Sequence, residues 1–425
     1  MVNDIRVGYK TAEEFHPSGA GVVDKVALDA YIGTAFVQGV VKPAGGTRTA
    51  GSVIEIGTEA AMPSDIGTAM IIGGGAPNYE NVIGGIIANV NTAVSNIPVG
   101  GAGTGAGDLT DPDGNWNAII GGYDNVVNGW ANQVQSYHSK VNNGASHGTI
   151  SGGSIHTIGT DVDYATIGGG TAHQITADNG TIAGGVTNTV SGLYGTIGGG
   201  LTHTATARST TVSGGEANDA TATYASIGGG LTNDATGSAS TVAGGQSNVA
   251  SGASSFAVGR DNLASNEWTV ATGRNASASI PGERAHAADM FTTKGDAQQR
   301  VIILRKQTTD ATLTELFANA SGNARMLMPA DCTWAFSILI SARRTDADNE
   351  SAGYKIEGVV DRNATAGTIA LVGTPTVTVL GEDNASWDAA VGVDTSNGAL
   401  TVKVTGEAAK TIRWVAVVNI AQVIG

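Results

Sequence analysis

A single cysteine in 425 residues leaves no disulfide framework and no cysteine-based zinc site, so Cys332 reads as a small buried apolar residue. Basic residues are the minority charge: 22 Lys and Arg stand against 37 Asp and Glu, a net charge of −15. A surface of that sign repels a polyanion, which argues against nucleic-acid binding, and the acidic excess reads as a solubility feature. No window reaches the roughly 18 apolar residues that a membrane-spanning helix needs. The opening Met-Val-Asn-Asp-Ile-Arg lacks the basic and then apolar regions of a signal peptide. The expectation is a soluble chain made in the cytoplasm, without membrane insertion. Aromatic residues are 5% and charged residues 14% of the chain, while glycine numbers 63, a balance that does not fit a compact enzyme. The collagen period is absent, and Val and Ile recur at fixed positions instead of being depleted, so disorder does not fit either.

Those fixed positions form a repeat from residue 149 to about 275. The phrases T-I-S-G-G, T-I-G-G-G, T-I-A-G-G, T-I-G-G-G, T-V-S-G-G, S-I-G-G-G and T-V-A-G-G carry Ile150, Ile167, Ile182, Ile197, Val212, Ile227 and Val242. The first step is 17 residues and the later ones 15. Six positions after each apolar residue stand His156, His173, Asn188, His203, Asn218, Asn233 and Asn248, and two positions further on stands a second small apolar column. Phe256 and Val270 continue the register at 14-residue steps, with Gly259, Asn262 and Ala264 in their columns.

Short alternating segments bounded by Gly and Asn are strands joined by tight turns. The glycines supply φ > 0 or close backbone approach, and Asn and His tolerate φ > 0 or form a ladder from coil to coil. Each copy is therefore one coil of a parallel β-solenoid, and nine coils at roughly 4.8 Å spacing make a rod on the order of 45 Å long. Tyr164, Tyr194 and Tyr224 precede only alternate copies, which makes the full unit 30 residues. The structural explanation is room for each ring; the functional one is a saccharide-stacking stripe. A 15-residue coil encloses little apolar material, so closed cyclic assembly, a homotrimer, is expected to cover the exposed remainder.

Residues 1–50 are too small and glycine-rich to bury a core, and read as a segment that docks on a larger partner. Within it, residues 24–41 could begin as a short helix and end as a strand, and periodicity does not decide. Residues 51–148 carry irregular versions of the phrase with a loop at 100–117, and residues 149–284 the regular coils. From 285 to 425 ordinary strands appear near 300–306, 334–342, 353–360, 368–372, 376–380, 389–393, 399–404 and 411–418, an antiparallel sandwich or jelly roll with Trp334, Trp387 and Trp414 as core anchors.

The stretch S-T-V-A-G-G-Q-S-N-V-A-S-G-A-S-S-F-A-V-G-R-D-N-L-A-S (240–265) resembles the head repeats of trimeric autotransporter adhesins. That resemblance implies a trimer of left-handed parallel β-rolls. The same repeats occur in bacteriophage tail fibres and tailspikes. A-R-R-T-D-A-D-N-E-S-A-G-Y-K-I-E-G-V-V-D-R-N-A-T (342–365) and K-T-I-R-W-V-A-V-V (410–418) resemble a C-terminal domain of predicted phage tail proteins. The resemblance implies a virion tail component: the N-terminus binds a tail or baseplate protein, and the C-terminus binds a host cell-surface glycan or protein.

No residue set points to a cofactor. His156 and His173 share a column and could share a metal, but a ladder role explains both, and no metal site is expected. Asp111, Asp113 and Asn115 begin like a calcium loop, yet position 122, where the bidentate Glu belongs, is Gly; a turn is the better reading. Strings resembling G-x-G-x-x-G arise by chance at this glycine content. A glycosidase needs two facing carboxylates. The repeats offer Asp161, Asp163, Asp178, Glu216, Asp219 and Asp234, of which Asp219 and Asp234 stack in adjacent coils beside the expected turn asparagines. The expectation adopted is a non-enzymatic tail fibre that adsorbs to the host; the alternative is a tailspike depolymerase. For receptor binding the candidates are Arg343, Arg344, Asp346, Asp348 and Asn349 in one C-terminal turn and Glu382, Asp383 and Asn384 in another, all suited to hydrogen-bonding sugars.

Overall fold

In the computed structural model the described residues are 132–425 apart from 320, 321, 348 and 349, together with 125–128 and the short strands Gly39–Lys42, Val53–Ile56, Ala69–Ile72, Val82–Gly85, Ile97–Val99 and Ala118–Tyr123. Outside those strands, the expected docking segment 1–50, the helix-or-strand stretch 24–41 and the loop 100–117 with Asp111, Asp113 and Asn115 lie beyond the described residues. Gly39–Lys42 pairs antiparallel with Val53–Ile56, and Ala69–Ile72 with Val82–Gly85. The chain is all-β, parallel solenoid coils followed by antiparallel sheets. It divides into two compact units, Met1–Tyr194 and Gly195–Gly425.

In the first unit each coil gives one short strand to each of two parallel sheets. One sheet stacks Ala118–Tyr123, Gln133–Tyr137, Thr149–Ile150, Thr166–Ile167 and Thr181–Ile182. The other stacks Ile97–Val99, Val126–Asn128, Lys140–Val141, Thr157–Ile158, Gln174–Ile175 and Thr189–Val190. Alternation explains the pattern: Thr faces out, while Ile150, Ile158, Ile167, Ile175, Ile182 and Val190 are 0% exposed.

The second unit repeats this from Thr196–Ile197 through Thr211–Val212, Ser226–Ile227 and Thr241–Gln246 to Phe256–Arg260, Val270–Arg274 and Arg284–Ala287. Its other face runs from Thr204–Ala205 through Asp219–Ala220, Asp234–Ala235, Val249–Ala250 and Leu263–Ala264 to Ser277–Ala278.

Three expectations about the columns change. Val242 aligns with Ala257, and Ala257 with Ala271, so these alanines occupy the buried column, not Phe256 and Val270. The 14-residue coils lack the residue that Ala243 contributes as a bulge, which moves the register by one. Second, φ > 0 falls one position before the Asn and His column, on Ile155, Ala172, Thr187, Thr202, Ala217, Thr232 and Ser247. Third, aromatic rings need no empty coil between them: His147 and Tyr164, in successive coils, stack with centroids 4.7 Å apart.

The Asn and His side chains form a ladder. Asn218 Oδ1 accepts from the Asn233 backbone N–H at 3.0 Å, Asn233 Oδ1 from that of Asn248 at 3.0 Å, and Asn248 Oδ1 from that of Asn262 at 3.2 Å. Each amide also donates to a glycine carbonyl, as Asn218 does to Gly214 at 2.9 Å. In the first unit histidines take the acceptor role: His173 N–H donates to His156 Nδ1 at 3.3 Å and Asn188 N–H to His173 Nδ1 at 3.1 Å. His203 does the same for Asn218 at 3.1 Å in the second. An accepting Nδ1 must be unprotonated, so these imidazoles are neutral with the proton on Nε2.

After the last coil come long antiparallel strands. Ala297–Thr308 pairs with Arg284–Ala287 and with Ile412–Ile424, which pairs in turn with Cys332–Arg344; Ser351–Arg362 and Ala370–Glu382 follow. A smaller sheet of Asp388–Asp394, Ala399–Thr405, Thr314–Glu315 and Met326–Leu327 accompanies it. The core between them holds Trp334, Trp387, Trp414 and Cys332, all 2% exposed or less. The strands expected at 368–372 and 376–380 are one: Gly373, at φ +74°, carries the chain through a bulge, and Pro375 is tolerated in an exposed strand.

A buried polar cluster joins the last coil to this sheet. Arg300, 1% exposed, donates from Nε and Nη2 to the Glu283 carboxylate and from Nη1 to Gln422 Oε1 at 2.9 Å. Trp334 Nε1 donates to the same Gln422 oxygen at 2.8 Å, and Glu283 accepts the backbone N–H groups of Ser279 and Ile280.

Candidate functional site

Among the described residues the solenoid carries a half-buried carboxylate pair that its own hydrogen bonds leave free. Asp219 and Asp234 stand directly opposite on adjacent parallel strands, about 4.8 Å apart along the backbone. They are half-buried strand residues, not the solvated turn residues expected, because the neighbouring asparagines Asn218 and Asn233 are buried ladder groups. Among the described residues no hydrogen bond occupies either side chain. Asp163 and Asp178 also sit in successive coils, but their oxygens are engaged: Asp163 Oδ1 accepts the Ser146 hydroxyl at 2.5 Å, and Asp178 Oδ1 the Asp163 N–H at 2.9 Å.

Environment separates the free pair. Burial, and then the charge of Asp219, push the Asp234 carboxyl above the usual carboxylate range. The burial follows from sequence, since the next strand places Val249 opposite Asp234, whereas the strand on the other side places Thr204 opposite Asp219. A carboxyl raised in this way beside a second carboxyl group in register is the kind of pair that acid-assisted displacement at a glycosidic carbon uses.

The two C-terminal turns come together at one end of the long sheet. Arg344 Nε donates to Asp346 Oδ1 at 2.8 Å and its Nη1 to Glu350 Oε2 at 3.0 Å, while Lys410 reaches Glu350 Oε1 at 2.9 Å. Asp383 Oδ2 accepts the Ser351 N–H at 2.7 Å, Glu382 Oε2 the Tyr354 hydroxyl at 2.9 Å, and Asn384 donates to Glu407. The hydrogen bond from Arg344 holds the Asp346 carboxyl below its usual range, and that from Lys410 does so for Glu350. Arg343 is exposed and lies across from Arg413. Asp348 and Asn349 lie outside the described residues.

His156 and His173 stack with centroids 5.1 Å apart and are each 1% exposed. Among the described residues no group of three or more His, Cys, Asp and Glu side chains is disposed to hold a metal. Burial first, and then the charge of His173, lower the His156 pKa to about 4; burial also lowers that of His173. Both are therefore neutral in the fold, and their contribution is full above the unfolded value near 6.5 and is lost as pH falls towards 4. At about 1.4 kcal/mol per pKa unit, His156 alone withdraws about 3 kcal/mol by pH 4. The melting temperature is expected to fall between pH 7 and pH 4.5, and the drop to shrink in a His156→Asn/His173→Asn variant, which keeps the ladder acceptor; equal drops in thermal melts of the two proteins would contradict this.

Sequence reasoning missed two arrangements. The Glu283–Arg300–Gln422 cluster and a basic pocket at Arg305, Lys306 and Arg413 assemble from residues over a hundred positions apart in the chain, with no local spacing to announce them.

No protein-family model matches the sequence, and no curated protein does. Among solved structures, similarity is found to a tailspike protein, gp49, from Acinetobacter baumannii bacteriophage Fri1, described as a capsular polysaccharide depolymerase, at 8% identity and a TM-score of 0.20 over 72% of this chain and 70% of that one. The tailspike protein of Acinetobacter baumannii phage AM24 matches at 10% identity and a TM-score of 0.20, over 72% of this chain and 57% of that one. The tailspike protein of Acinetobacter phage vB_ApiP_P1 matches at 8% identity and a TM-score of 0.20, over 82% and 80%. At such scores no residue role passes from them to this chain. The expectation of a chain without enzymatic activity is nonetheless corrected: the neighbours are phage tailspikes, and the Fri1 protein is described as a depolymerase.

Proposed function

We propose that the chain is a phage tailspike that binds a host surface polysaccharide and hydrolyses it at Asp219 and Asp234. The observation that carries the proposal is the free, in-register carboxylate pair with the Asp234 carboxyl pushed up by burial and by its neighbour. Retaining glycosidases hold their two carboxyl groups about 5–5.5 Å apart, close to the spacing of adjacent coils. In this mechanism Asp234 donates its proton to the departing glycosidic oxygen while an Asp219 oxygen forms a bond to the anomeric carbon. Water, deprotonated by Asp234, then displaces Asp219 and restores both groups.

The same proposal takes the chain to be a homotrimer, attached to the virion tail through its N-terminal part and meeting the host with its C-terminal part. Ala370–Glu382 supports self-association: it pairs with Ser351–Arg362, is exposed or half-exposed at every position, and shows Val372, Val377, Val379 and Leu380 to solvent. A long apolar edge strand of this kind calls for cover. The turn cluster of Arg344, Asp346 and Asp383 is the proposed receptor-contacting end.

The test is release of reducing ends from a panel of purified bacterial capsular polysaccharides. Wild-type protein is expected to release them from at least one, and Asp234→Asn to lower the rate by about a hundredfold or more, the scale of losing a general acid. Equal rates for wild type and Asp234→Asn, or no release from any polymer, would overturn the assignment.

A further inference from the structure

The C-terminal sheet carries a pocket of opposite electrical character to the rest of the chain. A cavity of about 480 Å³ is lined by Arg305, Lys306, Gln307, Phe317, Arg413 and Trp414 among others, a size within the range of small-molecule sites. The guanidinium groups of Arg305 and Arg413 line it from one face of the sheet, and Lys306 borders it from the other face of its strand, in a chain of net charge −15. Several other arginines and lysines in this unit face carboxylates: Arg274 faces Asp289, Arg325 faces Glu315, and Lys410 faces Glu350. Among the described residues Arg305 and Lys306 have no carboxylate partner, and Arg413 makes one weak contact, from Nε to neutral Gln307 Oε1 at 3.4 Å.

The arrangement is fixed by the sheet. Arg305 pairs with Val415 and Gln307 with Arg413 across two neighbouring strands, which sets both guanidinium groups on one face. Phe317 bridges to Arg305 through backbone hydrogen bonds, and the Lys306 ammonium lies 5.8 Å from the Phe317 ring centre. Gly322 borders the opening: a Cβ there would stand 3.7 Å from the Phe317 ring and 3.8 Å from Lys306 Nζ.

We propose that this pocket binds the carboxylate of an acidic sugar residue, a hexuronate or its chemical equivalent. The two guanidinium groups on that one face offer planar forks for a carboxylate. Phe317 and Val415 give apolar surface for the ring carbons, and Gln307 a neutral amide for a hydroxyl. The inference rests on the polysaccharide reading above and narrows it to anionic polymers. The pocket lies at the sheet edge remote from Ala370–Glu382, so the proposed self-association leaves it open.

Saturation-transfer NMR on the full chain tests it, with methyl glucuronoside, methyl glucoside and inorganic phosphate as separate probes. Methyl glucuronoside is expected to show saturable transfer that methyl glucoside lacks, weakened at least tenfold in Arg305→Gln/Arg413→Gln and in high salt. Equal transfer to both glycosides, none to either, or an unchanged signal in the variant overturns the proposal. So does phosphate binding without glucuronoside binding, which marks a bare anion site. Since the readout is binding, its failure alongside reducing-end release by wild type removes the pocket and leaves the hydrolytic site standing.

Discussion

Replacing Arg300 with methionine is expected to destabilise the C-terminal core by about 3–5 kcal/mol, the usual result of stranding one partner of a buried ion pair. Glu283 is 0% exposed and would be left with only the Ser279 and Ile280 N–H groups as partners. Gln422 would keep Trp334 Nε1 but lose Arg300 Nη1, and the guanidinium stacked 5.1 Å from the Trp334 ring would be gone. Removing both charges should hurt less than removing one, because no ion is then left in the interior. Denaturant unfolding followed by tryptophan fluorescence reads this directly, as Trp334, Trp387 and Trp414 all lie in this core. Arg300→Met is expected to lose more stability than Arg300→Met/Glu283→Leu; the reverse order would show that the pair is a dispensable surface-like contact.

The second large effect separates two neighbouring glycines. Gly215 has φ +99°, and a Cβ on it would lie 2.1 Å from the Gly230 carbonyl oxygen in the next coil. That oxygen accepts from the Glu216 N–H at 2.9 Å and from Asn218 Nδ2 at 3.0 Å, so relieving the clash breaks both bonds. Left-handed strain of about 1–2 kcal/mol joins the loss of two hydrogen bonds at about 1 kcal/mol each, so Gly215→Ala should lose roughly 3–4 kcal/mol. For Gly214 the nearest atom to an added Cβ is the Gly199 oxygen at 3.8 Å, an ordinary contact, and Gly214→Ala should be nearly neutral. Thermal melts of the two single variants check this; equal losses would mean that coil spacing does not depend on the second glycine.

The coil was legible because its period is enforced by geometry. A side chain at Gly215 or a larger group at Asn218 meets the same atoms in every coil, so each coil repeats the same choice. The Phe256 and Val270 assignment failed where that enforcement is weakest: a bulge residue can be dropped without disturbing the Asn248–Asn262 rung. The left-handed position before the ladder was invisible because Ile155, Ala172 and Thr187 have no intrinsic preference for it. Their backbones are held there by bonds to the previous coil, such as Ala172 N–H to Ser154 O at 2.9 Å. Of the site, Asp219 and Asp234 could be paired from spacing alone. What distinguishes them from Asp163 and Asp178 is the absence of competing donors, which only the packed structure shows. The pocket at Arg305 and Arg413 depends on strand register, and no run of sequence contains it.

The anomeric configuration of the first product tests the central claim most directly. With an active capsular polysaccharide, proton NMR during the first turnovers should show retained configuration, as a pair spaced by one coil requires, and no product with Asp219→Asn. Inverted product, or retained product that survives Asp219→Asn, would contradict the account.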